Sequence, residues 1–459
     1  MGEPAARSPA PAVVLMVTRD KLHRTVKLEL DDGRATTVEA AEALAATYVL
    51  QIHVGRDVAA SPTRQATLLT AVNAGARAFL GGVHVAGELD WNATGGWAMG
   101  RNASDVVTSL GGHVAHTLTD QHATLVIGSS DTSPPGSVTI HPTWNGWAAA
   151  ATSSAAGRLP ETAEHPVAGV LAGALAVSEA FQHTRGSLAA GRRDVGLSLW
   201  ELTADWRCER AAGPELRYLP TRLWLPGLGH LGQAYLWVIG FLPYHDPGSV
   251  TLVLQDFDRV VEANRATGLL VHTDVAEGVL KTRLAAAAME QLGFETRLIE
   301  RPFDDGTRPA QGEPTWALAG FDTAEPRRHI GVFDLAVDLG LGSDRDDYLG
   351  IHLHTFPAAG NPRDTFAMGP AGTEAPTLAA WAVDAAEDAC GVVQLQGAAV
   401  GAAFVGAAAA ALGVAEILRA LAGGPVTSVA AWALNAPGDI DAVGSDRDPP
   451  VNPGYQTAA

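Results

Sequence analysis

A glycine loop set between a strand and a helix constrains this chain more than any other feature. The run RLWLPGLGHLGQAYL, from Arg222 onward, puts Gly227, Gly229 and Gly232 after a short apolar strand and at the start of an apolar helix. That spacing gathers free backbone N–H groups and the positive end of a helix dipole at one point, where phosphate binds well. VTLVLQDFD follows as a second strand ending in Asp256 and Asp258, and a carboxylate there can accept from both ribose hydroxyls. Lys281, in DVAEGVLKT, stands in the first turn of the next helix. A cation is unfavourable against that end of the dipole unless it meets an anion, and the outer phosphates of a nucleotide lie within its reach. Asp322 ends a further strand in TWALAGFD, at the carboxyl rim where open parallel sheets bind ligands. It suits Mg2+ held between phosphate oxygens, since magnesium takes one or two carboxylates plus phosphates. Capping the turn that follows is its other use.

Strand and helix signals alternate along both halves, which predicts an α/β fold with mainly parallel sheets. The carboxy-terminal half reads as a Rossmann-like domain over 206–435. Residues 13–205 read as a degenerate α/β domain without a glycine loop, 1–12 as a flexible arm and 436–459 as a flexible tail. VVLMVTRDKLHRTVKLELDDG, within 13–34, alternates apolar and charged side chains and predicts a strand or hairpin. Two alanine-rich helical stretches, GALAVSEAF and AALGVAEIL, each carry one glutamate, Glu179 and Glu416. They are the signature of an inactive copy in the first half, or two unrelated helices in an alanine-rich protein.

Bulk properties exclude several classes. With 31 basic against 50 acidic residues the net charge is −19, with no dense basic cluster, so neither nucleic acid nor a membrane surface is an expected partner. Two cysteines, Cys208 and Cys390, rule out a disulfide framework and a zinc site built from Cys-x-x-Cys hooks. The first twelve residues lack the apolar core of a signal peptide, and the alanine-rich runs suit internal helices, so a cytoplasmic location is expected. His352 and His354 share a strand face but lack a third metal ligand, and Trp144 and Trp147 read as packing residues.

The ordered set GxGxxG, DFD-x-V-x-x-x-N, D-x-x-x-G-x-x-K and a later strand-end aspartate resembles the ubiquitin-activating-enzyme-like superfamily of ThiF/MoeB/HesA adenylyltransferases. The resemblance covers roughly 220–425. It implies that Gly227, Gly229 and Gly232 cradle ATP and that Asp258 takes the ribose. It also implies that Asn264, Arg265 and Lys281 contact phosphates, with Asp322 on the Mg2+ side. Such enzymes adenylate the terminal carboxylate of a small ubiquitin-like or sulfur-carrier protein. Many then capture it as a thioester, a role for which Cys390 stands at a suitable place, and they commonly pair two such domains as a homodimer or within one chain. The family's arginine falls two or three positions beyond the asparagine, whereas here Arg265 follows Asn264 at once. An arginine supplied by the amino-terminal domain or a partner is expected, with Arg217 and Arg222 as possible donors. An oxidoreductase using NAD or FAD and a non-catalytic scaffold are the rival readings; the wide separation of Asp256 and Asp258 from the glycine loop argues against the first.

Overall fold

Short apolar runs pair with their neighbours twice in this chain, and in the same order. The computed structural model describes residues 21–130, 133–272, 275, 277–367, 400–445 and 453–459. Two helices, α1 (Arg24–Asp31) and α2 (Val38–Ala45), precede the first sheet. Its strands are β1 (Val49–Val54), β2 (Gly82–Gly87), β3 (Gly112–Val114), β4 (Ala123–Ile127), β5 (Thr139–Asn145), β6 (Ala148–Thr152) and β7 (Val195–Ser198). They lie in the order β3-β2-β1-β4-β5-β6-β7, parallel up to β5 and antiparallel beyond it. Helix α3 (Pro62–Ala78) follows β1, α4 (Ala103–Ser109) follows β2, and α5 (Pro166–Thr184) joins β6 to β7.

The second half repeats this plan. After β8 (Tyr218–Pro220) come β9 (Arg222–Pro226), α6 (His230–Ile239), β10 (Thr251–Gln255), α7 (Lys281–Gln291), β11 (Glu295–Ile299), β12 (Trp316–Ala319), α8 (Ala324–Arg327), β13 (Leu335–Leu341), β14 (Gly350–Phe356) and α9 (Pro362–Thr365). Beyond residue 400 lie α10 (Ala403–Leu421), β15 (Val426–Ala433), β16 (Asp441–Ser445) and β17 (Tyr455–Thr457). The sheet order is β11-β10-β9-β12-β13-β14-β15-β16, again parallel to β13 and antiparallel after it. Apart from the added edge strand β16, the two sheets have one topology.

The glutamate echo belongs to this duplication. Glu179 and Glu416 occupy the same position in two 19-residue helices, α5 and α10. Glu179 accepts from the backbone N–H of Gly191 at 2.9 Å and pairs with Arg193 at 2.7 Å. Glu416 accepts from the N–H of Thr427 at 2.9 Å and pairs with Arg419. Each carboxylate thus ties its helix to the chain leading into the next strand. Helices α3, α5, α6 and α10 pack together between the sheets and join the halves. Helix α10 is long and apolar enough to cross a bilayer, yet 94% of its apolar window is buried inside the protein. Trp144 and Trp147 are core residues, each 1% exposed.

Two expectations are corrected. Residues 24–31 form a helix rather than a strand, with the His23 ring accepting from Thr25 N–H. Val26, Leu28 and Leu30 alternate because the helix is buried on two sides: Leu22, Val26 and Leu30 join one cluster while Leu28 joins the main core. The stretch assigned to a flexible tail contributes two strands. β16 extends the second sheet beyond residue 435, and β17 pairs with β8, helped by Gln456, which donates to the Asp246 carbonyl at 2.9 Å. Such short polar strands show no periodicity of their own, because pairing with a neighbour supplies their order.

Arg77 carries the join between halves. It is 6% exposed, and its guanidinium donates across the interface to the carbonyls of Gly268 at 3.0 Å and Val271 at 3.0 Å. Burial lowers its pKa to about 9, which leaves it charged at neutral pH. Arg77→Met leaves those buried carbonyls unpaired and is expected to cost about 3 kcal/mol. A urea midpoint unchanged by the substitution would refute this assignment. Acid should also weaken the fold. Burial holds His165 near pKa 3, its ring tilted against Trp147 at 4.4 Å with both ring nitrogens unpartnered among the described residues. Its unfolded form takes a proton below about pH 6.5 while the folded form stays neutral, so stability is lost as pH falls from 6.5 towards 3. His165→Phe should flatten the fall in melting temperature between pH 7 and pH 5.

Candidate nucleotide site

The carboxyl rim of the second sheet is built around the glycine loop. Gly227 has a φ of +84°, and a Cβ there would meet the Gly320 carbonyl oxygen at 2.7 Å. A Cβ on Gly232 would lie 2.0 Å from the Gly227 oxygen. These two glycines are demanded by the protein's own packing, because strand β12 and the start of α6 approach the loop too closely for a side chain. Gly229 differs. A Cβ there meets nothing within 4 Å, and as the residue before α6 it offers no side-chain cap. Among the described residues no side chain caps the first N–H groups of α6.

Asp256 shapes this loop. It is 9% exposed, and its carboxylate accepts from Leu228 N–H at 2.6 Å and Asp258 N–H at 2.8 Å. Asp258 is half exposed and pairs with Lys281 at 2.8 Å, while Lys281 N–H donates to the Asp258 carbonyl at 2.9 Å. On the other flank Gly320 N–H donates to the Pro226 carbonyl at 2.9 Å, which sets Asp322 beside the loop. Asp322 is exposed and has no ion pair among the described residues. The strand order β10-β9-β12, with Lys281 paired to Asp258 beyond β10 and Asp322 beyond β12, puts the two residues on opposite sides of the glycine turn.

Other expected residues are placed differently. Asn264 closes a turn by accepting from Val261 N–H at 2.9 Å. Arg265 donates to the carbonyls of His272 at 2.8 Å and Val275 at 3.0 Å, so its guanidinium ties down the loop before α7. Arg222 begins β9, at the rim opposite the glycine loop, and exposed Arg217 pairs with Glu215. Cys390 lies outside the described residues. Among the described residues no three potential ligands cluster for a metal ion.

Two residues went unnoticed in the sequence because α1 was read as a strand. α1 packs against the turn Glu262–Ala266 and brings Arg24 near His230, the first residue of α6. Burial lowers the His230 pKa to about 4, and the charge of Arg24 adds to that shift. His230 Nε2 is buried without a hydrogen-bond partner.

The first half has no such opening. Its α3 start is capped by Ser61, which accepts from Arg64 N–H at 3.1 Å, and by Glu164, which accepts from Thr63 N–H at 2.9 Å. Asp57 occupies the neighbouring rim, accepting from Ser129 N–H at 2.7 Å and pairing with Arg64 at 3.5 Å. Where α6 has no side-chain cap, α3 is closed by the protein's own hydroxyl and carboxylate.

Comparison with known proteins agrees with this two-part plan. The family model described as the BilD N-terminal domain matches residues 49–199, and the BilD C-terminal domain matches 219–424. A Bacterial E1-like protein BilD from Collimonas sp. (strain OK412) is 36% identical over 398 residues, covering 85% of this chain and 86% of that protein. The chain belongs to the BilD family. Among solved structures, E. coli MccB aligns over 51% of this chain and 65% of its own length, at 12% identity and a TM-score of 0.33. E. coli TcdA, a tRNA N6-threonylcarbamoyladenosine dehydratase solved with ATP, aligns over 44% of this chain and 86% of its own, at 13% identity and a TM-score of 0.31.

The glycines separate packing from ligand space. Gly232→Ala should destabilise the fold by about 1–3 kcal/mol, since backbone must move to admit the methyl. Gly229→Ala should leave the urea midpoint within about 0.5 kcal/mol of the parent and weaken nucleotide binding, read by calorimetry. Equal effects of the two on stability would contradict this division.

Proposed function

We propose that this protein is an ATP-dependent adenylyltransferase that activates the terminal carboxylate of a small polypeptide of the ubiquitin-like or sulfur-carrier kind. The contrast between the two helix starts carries the reading. α3 is sealed by Ser61 and Glu164, whereas among the described residues no side chain caps the start of α6, and Gly229 before it leaves space beside the loop. An anion is therefore favoured in one half only. The E1-like name of the Collimonas relative supports the same conclusion.

In this reading the triphosphate lies across the rim between Lys281 and Asp322, with Asp258 placed for the ribose hydroxyls. An oxygen of the substrate carboxylate attacks the α-phosphorus, and the bond from that phosphorus to the bridging oxygen of the β-phosphate breaks. Pyrophosphate leaves with the electron pair, and the acyl-adenylate remains. The α6 N–H groups, Lys281 and, from the other half, Arg24 offset the charge that develops. Asp322 would hold Mg2+, which when bound neutralises phosphate charge. Displacement of this kind depends on positioning and charge compensation, so no general base is required. Passage of the acyl group to the thiolate of Cys390, with release of AMP, is the step that would follow.

The test is ATP–pyrophosphate exchange that depends on an added candidate polypeptide. Lys281→Ala should lower the exchange rate about 100-fold. The substitution should leave the urea midpoint nearly unchanged, since partly exposed pairs contribute about 0–1 kcal/mol. Exchange that is indifferent to Lys281, or a purified protein carrying flavin or nicotinamide absorbance, would sink the proposal.

A further inference from the structure

In a chain of net charge −19, fourteen arginines among the described residues are matched to carboxylates. Three that are not line a single open cleft of about 260 Å³: Arg308, Arg328 and Arg363, together with His329 and Asn361. Arg308 donates only to the backbone carbonyls of Asp305 and Thr307, both at 2.7 Å. Arg328 and Arg363 have no ion pair among the described residues, and Arg328 Nε is buried without an acceptor. His329 of the lining pairs with Glu325 at 3.2 Å. Three guanidinium groups that line one cleft, without a paired carboxylate among the described residues, favour an anionic partner there.

The segments that line the cleft lead back to the candidate nucleotide rim. Arg328 directly follows α8, whose Arg327 donates to the Phe321 carbonyl at 2.6 Å, next to Asp322. The Phe321 ring packs on Phe303 at 5.3 Å, at the start of the loop that carries Arg308. The Phe303 ring in turn stacks on Phe333, beyond the segment of Arg328 and His329, at 5.9 Å. Trp224 of β9 and Val253 of β10 belong to the same apolar cluster, which lies on the face of the sheet away from α6 and α10.

We propose that the cleft of Arg308, Arg328 and Arg363 binds an acidic segment of the polypeptide substrate, upstream of the carboxylate that is activated. Guanidinium forks suit carboxylate side chains through paired N–H···O contacts, and lysine would lack that geometry. The proposal rests on the adenylation reading for the identity of the partner but not for binding itself. The two therefore fail separately.

Anisotropy of a fluorescein-labelled peptide with four consecutive glutamates, titrated with the full-length protein, is the direct measurement. A tetra-lysine peptide serves as control and inorganic phosphate as competitor. The glutamate peptide should bind, weaken with added salt and lose about tenfold or more in affinity in R308A/R328A/R363A. Lys281→Ala should bind it normally while failing in pyrophosphate exchange. The charge-reversed R328E/R363E should instead take up the tetra-lysine peptide, a gain that a merely unfolded variant cannot show. Binding that survives the triple substitution would overturn the proposal, as would millimolar phosphate displacing the peptide completely or a reversed variant that gains nothing.

Discussion

The guanidinium of Arg77 is the contact on which the arrangement depends. It is a buried charge with no carboxylate partner among the described residues, satisfied by the carbonyls of Asn73 in its own helix and by backbone carbonyls from the other half of the chain. Asn73, one turn earlier in α3, donates to the Leu269 carbonyl at 3.1 Å, so two residues of one helix fix the 268–271 loop. That loop follows the turn around Asn264, and Gln233 of α6 accepts from its Leu270 N–H at 3.1 Å. The first half thus braces the region beside the glycine loop. A charge held only by carbonyl dipoles tolerates little movement, because any displacement leaves donor and acceptors dry and unpaired.

One topology used twice makes the differences between halves informative. Both have a strand leading into a helix at the centre of a parallel sheet, and both close with an alanine-rich helix whose glutamate holds the next strand. What separates them is chemistry at the helix start. Carboxylates of Asp57 and Glu164 occupy the rim of the first half. In the second, Asp256 accepts from Leu228 N–H and Asp258 N–H, and among the described residues no side chain caps α6. The first half braces the second, and its own helix start is filled from within. It also reaches across through α1, whose Arg24 acts on His230.

Legibility followed locality. The glycine loop, the strand-end aspartates and the order of elements in the second half depend on residues close in sequence, and each lies where its pattern put it. Asp256 was read as a ribose contact, yet its oxygens are taken by the loop backbone. Arg265 and Asn264 were read as phosphate ligands, but their side chains hold backbone groups of their own segment. A polar residue beside a ligand loop has the same composition whether it faces the ligand or braces the loop. Helix α1 was misread because burial on two sides imitates the alternation of a strand. β16 and β17 were missed because edge strands draw their order from a neighbour.

By itself the sequence determined the class of fold, the presence of one glycine loop rather than two and the residue types available at its rim. Backbone sterics and hydrophobic periodicity act over a few residues, which is why those features could be read directly. The tertiary structure alone decided which helix start the protein closes with its own side chains, that Arg77 joins the halves, and that Arg308, Arg328 and Arg363 converge on one cleft. Those outcomes bring together side chains that are distant along the chain, and their energies come from burial and charge that exist only after packing.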